Sequence, residues 1–172
     1  MSWSSPSPLS LTPRLLAYRA SLCWTSRSTT AFLSLPNRSS QGAEQIFGWA
    51  LWELPGVFIE AEFHSVWKSP EGDFVDIVPR SRPFTEIAFV PDASRRYENR
   101  QVDNIRKQLV IDNDVKRFLF LCKRRFAILN AGERAMQHAV ILPKADMREL
   151  EANEKESMRL ERRIHKRYAA NF

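Results

Sequence analysis

Gly56-Val-Phe-Ile-Glu-Ala-Glu-Phe-His-Ser-Val-Trp-Lys-Ser-Pro-Glu-Gly-Asp-Phe-Val-Asp-Ile-Val-Pro79 is the stretch that decides the fold of this 172-residue chain. It reads as two antiparallel strands, at about Val57 to Lys68 and Asp73 to Val78, joined by a tight turn at Ser69-Pro-Glu-Gly-Asp73. Proline presets the backbone at the start of such a turn, and glycine supplies the left-handed residue. Side chains alternate faces along a strand. Glu60, Glu62, His64 and Val66 therefore share one face, and Ile59, Ala61, Phe63 and Trp67 the other. A three-residue bulged loop would set Val66 opposite Asp76 and His64 diagonal to it, roughly 7 Å away between β-carbons. An imidazole and a carboxylate meet across that gap. A histidine oriented by a carboxylate is two-thirds of a nucleophilic triad.

The same residues allow two other readings. Glu60, Glu62, His64 and Asp76 offer oxygen and nitrogen ligands of the kind that hold a divalent ion. No second histidine is spaced to join them, so no metal site is assigned. Alternatively, the two glutamates and His64 face solvent on a half-buried sheet, in a non-catalytic interaction protein.

The order of elements extends the first reading. A His-x-x-Trp strand, a Pro/Gly turn and a strand carrying Asp before Ile-Val-Pro resembles the His and Asp strands of transglutaminase-like and papain-like cysteine enzymes. More closely, Gly48-Trp-Ala-Leu-Trp-Glu53, Glu60-Ala-Glu-Phe-His-Ser-Val-Trp67, Val75-Asp-Ile-Val-Pro79 and Arg100-Gln-Val-Asp-Asn104 resemble an uncharacterised bacterial family, from about Gln41 to about His138. The resemblance implies an α+β fold, a small antiparallel sheet with C-terminal helices. It implies a thiol-dependent hydrolase or acyltransferase type of site, with His64 as base and Asp76 as its orienter. Trp49 and Trp67 from these motifs, with Arg100, are the candidate substrate contacts.

The family's cysteine is expected upstream, in a Cys-x-x-Asn segment about two turns of helix ahead of the Gly-Trp strand. Here the upstream thiol is Cys23, in Leu22-Cys-Trp-Thr-Ser-Arg27, without the asparagine. The residues after it are rich in serine and threonine and reach Pro36, which is poor helix material. A nucleophilic cysteine gains thiolate character from a helix N-terminus or a basic neighbour, and neither is evident. Cys23 is the candidate nucleophile, but the expectation is a degenerate domain in which it is an ordinary thiol.

Residues 1–43 differ in kind from the rest. They contain no acidic residue, and Ser, Thr, Pro, Leu and Arg dominate. Such composition suits a transit peptide, a disordered segment, or sequence not native to the domain; the last two are expected. The domain itself is expected over 44–143, followed by a charged helix over 144–172.

Net charge is +6, and Arg14, Arg19, Arg27 and Arg38 supply four of those units, so the remainder carries +2. Nucleic-acid binding needs a basic face rather than a basic average, and a nucleic-acid partner is not expected. Cys23 and Cys122 give no disulfide framework or zinc motif. No run approaches a membrane span, and no cofactor motif is present. The expectation is a reduced, cytoplasmic, soluble protein without a cofactor.

Further along, Thr85 to Val90 reads as a strand, and Ala93 to Asn104 as a polar loop in which Arg95, Arg96 and Arg100 are candidates to hold an anion. Asn113 to Asn130 carries Val115, Phe118, Leu119, Cys122, Phe126 and Leu129 at helical spacing, with Asp112 or Asn113 as N-cap. This makes Cys122 a packed core thiol. Gln137 to Leu142 reads as a short strand with a structural His138 beside it. Lys144 to Tyr168 reads as a largely solvated helix, acidic first and basic last, as the helix dipole favours.

Overall fold

A computed structural model of the chain describes residues 44–78, 86–137 and 141–168. The 1–43 segment with Cys23, and also Pro79, Thr85 and His138, lie outside the described residues. The described residues form an α+β fold: a curled antiparallel sheet followed by two helices. The strands are β1 (Glu44–Leu54), β2 (Phe58–Lys68), β3 (Phe74–Val75), β4 (Ala88–Pro91) and β5 (Ile105–Gln108), and the helices are α1 (Asn113–Leu129) and α2 (Lys144–Arg167). A 3-10 turn over Gly132–Met136 separates the helices. Among the described residues no helix is long and apolar enough to cross a membrane.

β1 and β2 are the long central pair, in register from Glu44 opposite Lys68 to Leu54 opposite Phe58. Pro55 and Gly56 close them, with Val57 N donating to Leu54 O at 2.8 Å and Gly56 at φ 71°. Proline second and a left-handed glycine third is the pattern of a type II turn. β4 pairs with β1 on one side. The other edge of β2 is shared: β3 takes its C-terminal end and β5 its N-terminal half.

The second hairpin follows the sequence closely. Ser69 and Asp73 bracket Pro70, Glu71 and Gly72, and Gly72 has φ 97°. The pairs Trp67–Val75 and Lys68–Phe74 set a register that, continued, puts Val66 opposite Asp76. β3 is shorter than expected, and the cause lies in Asp76. Its carboxylate accepts from Val78 N at 3.1 Å, a local turn that competes with the ladder.

Two expectations need correction, and one strand forms where no element was expected. β5 lies just beyond the loop expected over Ala93 to Asn104. Arg106 and Gln108 point inward while Ile105 and Lys107 face out, inverting the usual alternation. The strand expected over 137–142 falls partly outside the described residues, and Gln137, Ile141 and Leu142 are in no strand. The last helix is not a solvated appendage. Leu150, Asn153, Ser157, Leu160 and Ile164 recur at alternating three- and four-residue steps, the seam of a packed helix pair, and the last four are buried.

α1 and α2 run antiparallel. Asp112 caps α1, accepting from Asp114 N and Val115 N, and Asn153 Nδ2 donates to Leu121 O at 3.0 Å in the seam. The helices cover one end of the sheet's inner face. There Leu54, Val57 and Phe58 pack with Val115, Phe118, Leu121, Cys122, Leu160 and Ile164. Phe118 is wholly buried, a contribution of about 2–3 kcal/mol from its apolar surface alone. At the other end Ala50, Trp52, Val66, Ile87 and Phe89 form a second cluster.

Candidate functional site

Between the two apolar clusters the inner face of β2 is polar. Glu60, Glu62 and His64 occupy alternate positions on that face, and each is buried, with relative exposures of 4, 4 and 2%. They do not face solvent as one reading of the sequence had it. Charged and polar groups survive in such a place only with partners, and each has its own.

Glu60 Oε1 accepts from Arg106 Nε at 2.9 Å and from Asn104 Nδ2 at 2.8 Å. Arg106 also reaches Asp103 Oδ1 at 3.0 Å. Burial opposes the charge on Arg106, but Glu60, Cys122 and Asp103 around it outweigh that and hold its pKa above the ordinary value. Glu62 Oε2 accepts from the indole Nε1 of Trp52 at 2.8 Å. Trp52 reaches it across the β1–β2 ladder, where Ala50 stands directly opposite Glu62.

His64 meets Asp76. His64 Nε2 lies 3.0 Å from Asp76 Oδ1, with side-chain exposures of 2% and 6%. The Val78 amide bonds the same oxygen, so the carboxylate is fixed from two directions. Gly48 sits opposite His64 on β1. A β-carbon there would come within 2.2 Å of Val90 O and 2.7 Å of the Phe89 ring. The glycine lets β4 close in, and Phe89 stands edge-on to the imidazole with centroids 6.5 Å apart. Phe74 packs behind Phe89 at 6.3 Å. The imidazole is thus held by a carboxyl group on one side and an aromatic ring on another.

Asp76 Oδ1 is placed to accept from a proton carried on His64 Nε2, the tautomer in which Nδ1 holds the ring's free lone pair.

No protein-family model, curated protein or solved structure matches this chain. The resemblance to cysteine enzymes therefore rests on the motif residues themselves.

The structure brings together only part of the expected site. His64 and Asp76 meet; Cys23 lies outside the described residues. Trp49 and Trp67 stand on the opposite face of the sheet from His64, because odd-numbered positions of β1 and β2 point away from it. Trp49 Nε1 donates to Asp92 Oδ2 at 3.0 Å and its ring meets Phe63 edge-on at 5.4 Å. Hydrogen bonds from Ser94, then Trp49, hold the Asp92 carboxyl below its ordinary pKa. Arg95, Arg96 and Arg100 are exposed in the loop before β5. Glu60, Glu62, His64 and Asp76 do not converge, since separate partners draw them apart. Among the described residues no three His, Cys, Asp or Glu side chains gather as a metal would need. Cys122 is 1% exposed in the helix-side cluster, where a core thiol was expected.

Sequence reasoning missed Arg106, Asn104 and Trp52. A signal existed for Trp52, which shares the inner-face parity of β1 with Gly48. Nothing local marks Arg106, which lies 46 residues from its glutamate.

Proposed function

We propose that this chain carries the base-and-orienter half of a thiol-dependent hydrolase or acyltransferase type of site, with His64 as the base and Asp76 as its orienter. The observation that supports it is the buried Nε2–Oδ1 contact of 3.0 Å across β2 and the segment after β3. Such a pair takes a thiol proton at Nδ1 and stabilises the resulting imidazolium. Cys23 is the candidate thiol.

The test is the alkylation rate of Cys23 at neutral pH, read site by site in intact protein, with Cys122 as the buried reference. A thiol paired with His64 reacts as thiolate, so His64→Ala slows Cys23 on the order of tenfold or more. An unchanged rate removes Cys23 from the site.

A second reading is favoured by the depth of His64 and by the departure of the Cys23 segment from the family pattern. In it the domain is a degenerate, non-catalytic form whose His64–Asp76 pair serves the fold. Under that reading His64→Ala lowers stability and leaves Cys23 reactivity as it was.

A further inference from the structure

The charges of α2 are sorted by face, and the sorting points to a partner. Its acidic residues lie mostly beside the seam with α1. There Glu149 pairs with Arg124, Glu154 with Arg125 and Glu156 with Arg117. Two of its arginines are also committed, Arg163 to Asp114 and Arg167 to Asp112 and Asp114. What remains is a stripe on the side away from the seam: Lys144, Arg148, Lys155, Arg159, Arg162 and Lys166, with the exposed Glu151 at its edge between Arg148 and Lys155. Their spacings of four, seven, four, three and four residues keep them on one face, and all six are exposed. Among the described residues none of the six is in a salt bridge, and Arg159 feels Glu156 only at longer range.

We infer that this stripe is a docking surface for double-helical nucleic acid, bound through its phosphates and without regard to sequence. The stripe runs about 33 Å along the helix, and its four-residue steps place cations about 6 Å apart, close to the spacing of backbone phosphates. No aromatic side chain interrupts it, so it offers no platform for stacking single-stranded bases. The buried apolar positions of α2 pack against α1, and the exposed Met147 and Met158 stand eleven residues apart, which is too little apolar surface for the helix to sink into a bilayer. The chain's average charge concealed this, because Glu149, Glu154 and Glu156, which offset the cations in the sum, are spent on α1. The inference is independent of the His64–Asp76 reading.

The experiment is fluorescence anisotropy with the full chain and a labelled random-sequence 20-base-pair duplex, across a salt series. If four to six cations each neutralise a phosphate, log K falls against log salt with a slope of about −3.6 to −5.4. Between 50 and 200 mM salt that is a loss of about 150- to 1,800-fold. The triple variant Lys155→Gln, Arg159→Gln, Arg162→Gln reduces the slope by about 2.7. Arg125→Gln, outside the stripe, leaves it unchanged. A charge-keeping triple, Lys155→Arg, Arg159→Lys, Arg162→Lys, retains wild-type binding and guards against loss through misfolding. Absence of duplex binding overturns the proposal, as does a slope indifferent to the glutamine triple. Tighter binding to single strands, or to phosphatidylserine vesicles in preference to the duplex, overturns it in favour of that partner.

Discussion

Two arginine–glutamate pairs in this molecule have opposite surroundings. On the inner face of β2, Arg106 and Glu60 meet at 2.9 Å with side chains only 7% and 5% exposed. On the helical hairpin, Arg124 and Glu149 meet with side chains 47% and 43% exposed. Water shares the second pair and is excluded from the first. The sheet face is a place where each polar group depends on one partner, so its geometry is narrowly set. The hairpin surface is a place where charges are interchangeable and only their distribution matters.

Substitutions sharpen the contrast in order of size. Arg106→Ala leaves Glu60 as a buried carboxylate without its cation, and costs about 3–5 kcal/mol. Urea denaturation checks it; a loss below about 1 kcal/mol would mean that water already reaches Glu60.

Asp112 lies between the two regimes, at the junction of both helices. It caps α1 and receives Arg167 and the Tyr168 hydroxyl. Burial raises its pKa, but these bonds and the Asp114 and Val115 amides outweigh it and hold it at about 2, against an ordinary 3.8. A depressed carboxyl stabilises the fold above its unfolded pKa and ceases to as pH falls through the folded one. Its contribution is therefore whole above about pH 4 and fades toward pH 2. Asp112→Ala costs about 1 kcal/mol at pH 7, the usual value of a cap. The wild type then converges on the variant as the pH of thermal melts is lowered through that window. A gap of constant size down to pH 2 would show that the carboxylate charge is not what matters.

The smallest effect is at the hairpin surface. Arg124→Ala changes stability far less than Arg106→Ala, because an exposed pair gains little over hydrated charges. A comparable loss in urea denaturation would show that the hairpin ion pairs act as a network and that the two regions differ less than their exposure suggests.

The parts legible in the sequence were those encoded locally. The Pro70–Gly72 turn and the alternation along β2 set the register of the second hairpin, and with it the approach of His64 to Asp76. The apolar steps of α1 and its Asp112 cap were equally plain. What escaped was encoded at a distance. β5 carries its polar residues inward because Glu60 awaits them, so its alternation does not announce a strand. The seam of α2 hides behind Asn153 and Ser157, polar residues whose burial makes sense only with the Leu121 carbonyl beside them. The basic stripe was invisible for the same reason, since a linear sequence does not say which glutamates are spent on α1. The site was legible as a pair and not as a surrounding: Gly48 and Phe89 confine His64 from β1 and β4, whose approach sequence spacing does not announce.

The most direct test of the central claim, that Asp76 orients His64 as a base, is the tautomer of the His64 ring. Nitrogen-15 NMR of imidazole-labelled protein, followed through the titration, distinguishes the two ring nitrogens. In the neutral ring the account predicts the proton on Nε2 and a basic Nδ1, with that preference weakened in Asp76→Ala. A neutral ring protonated at Nδ1 in the wild type would contradict it, because Asp76 would then not be holding the Nε2 proton.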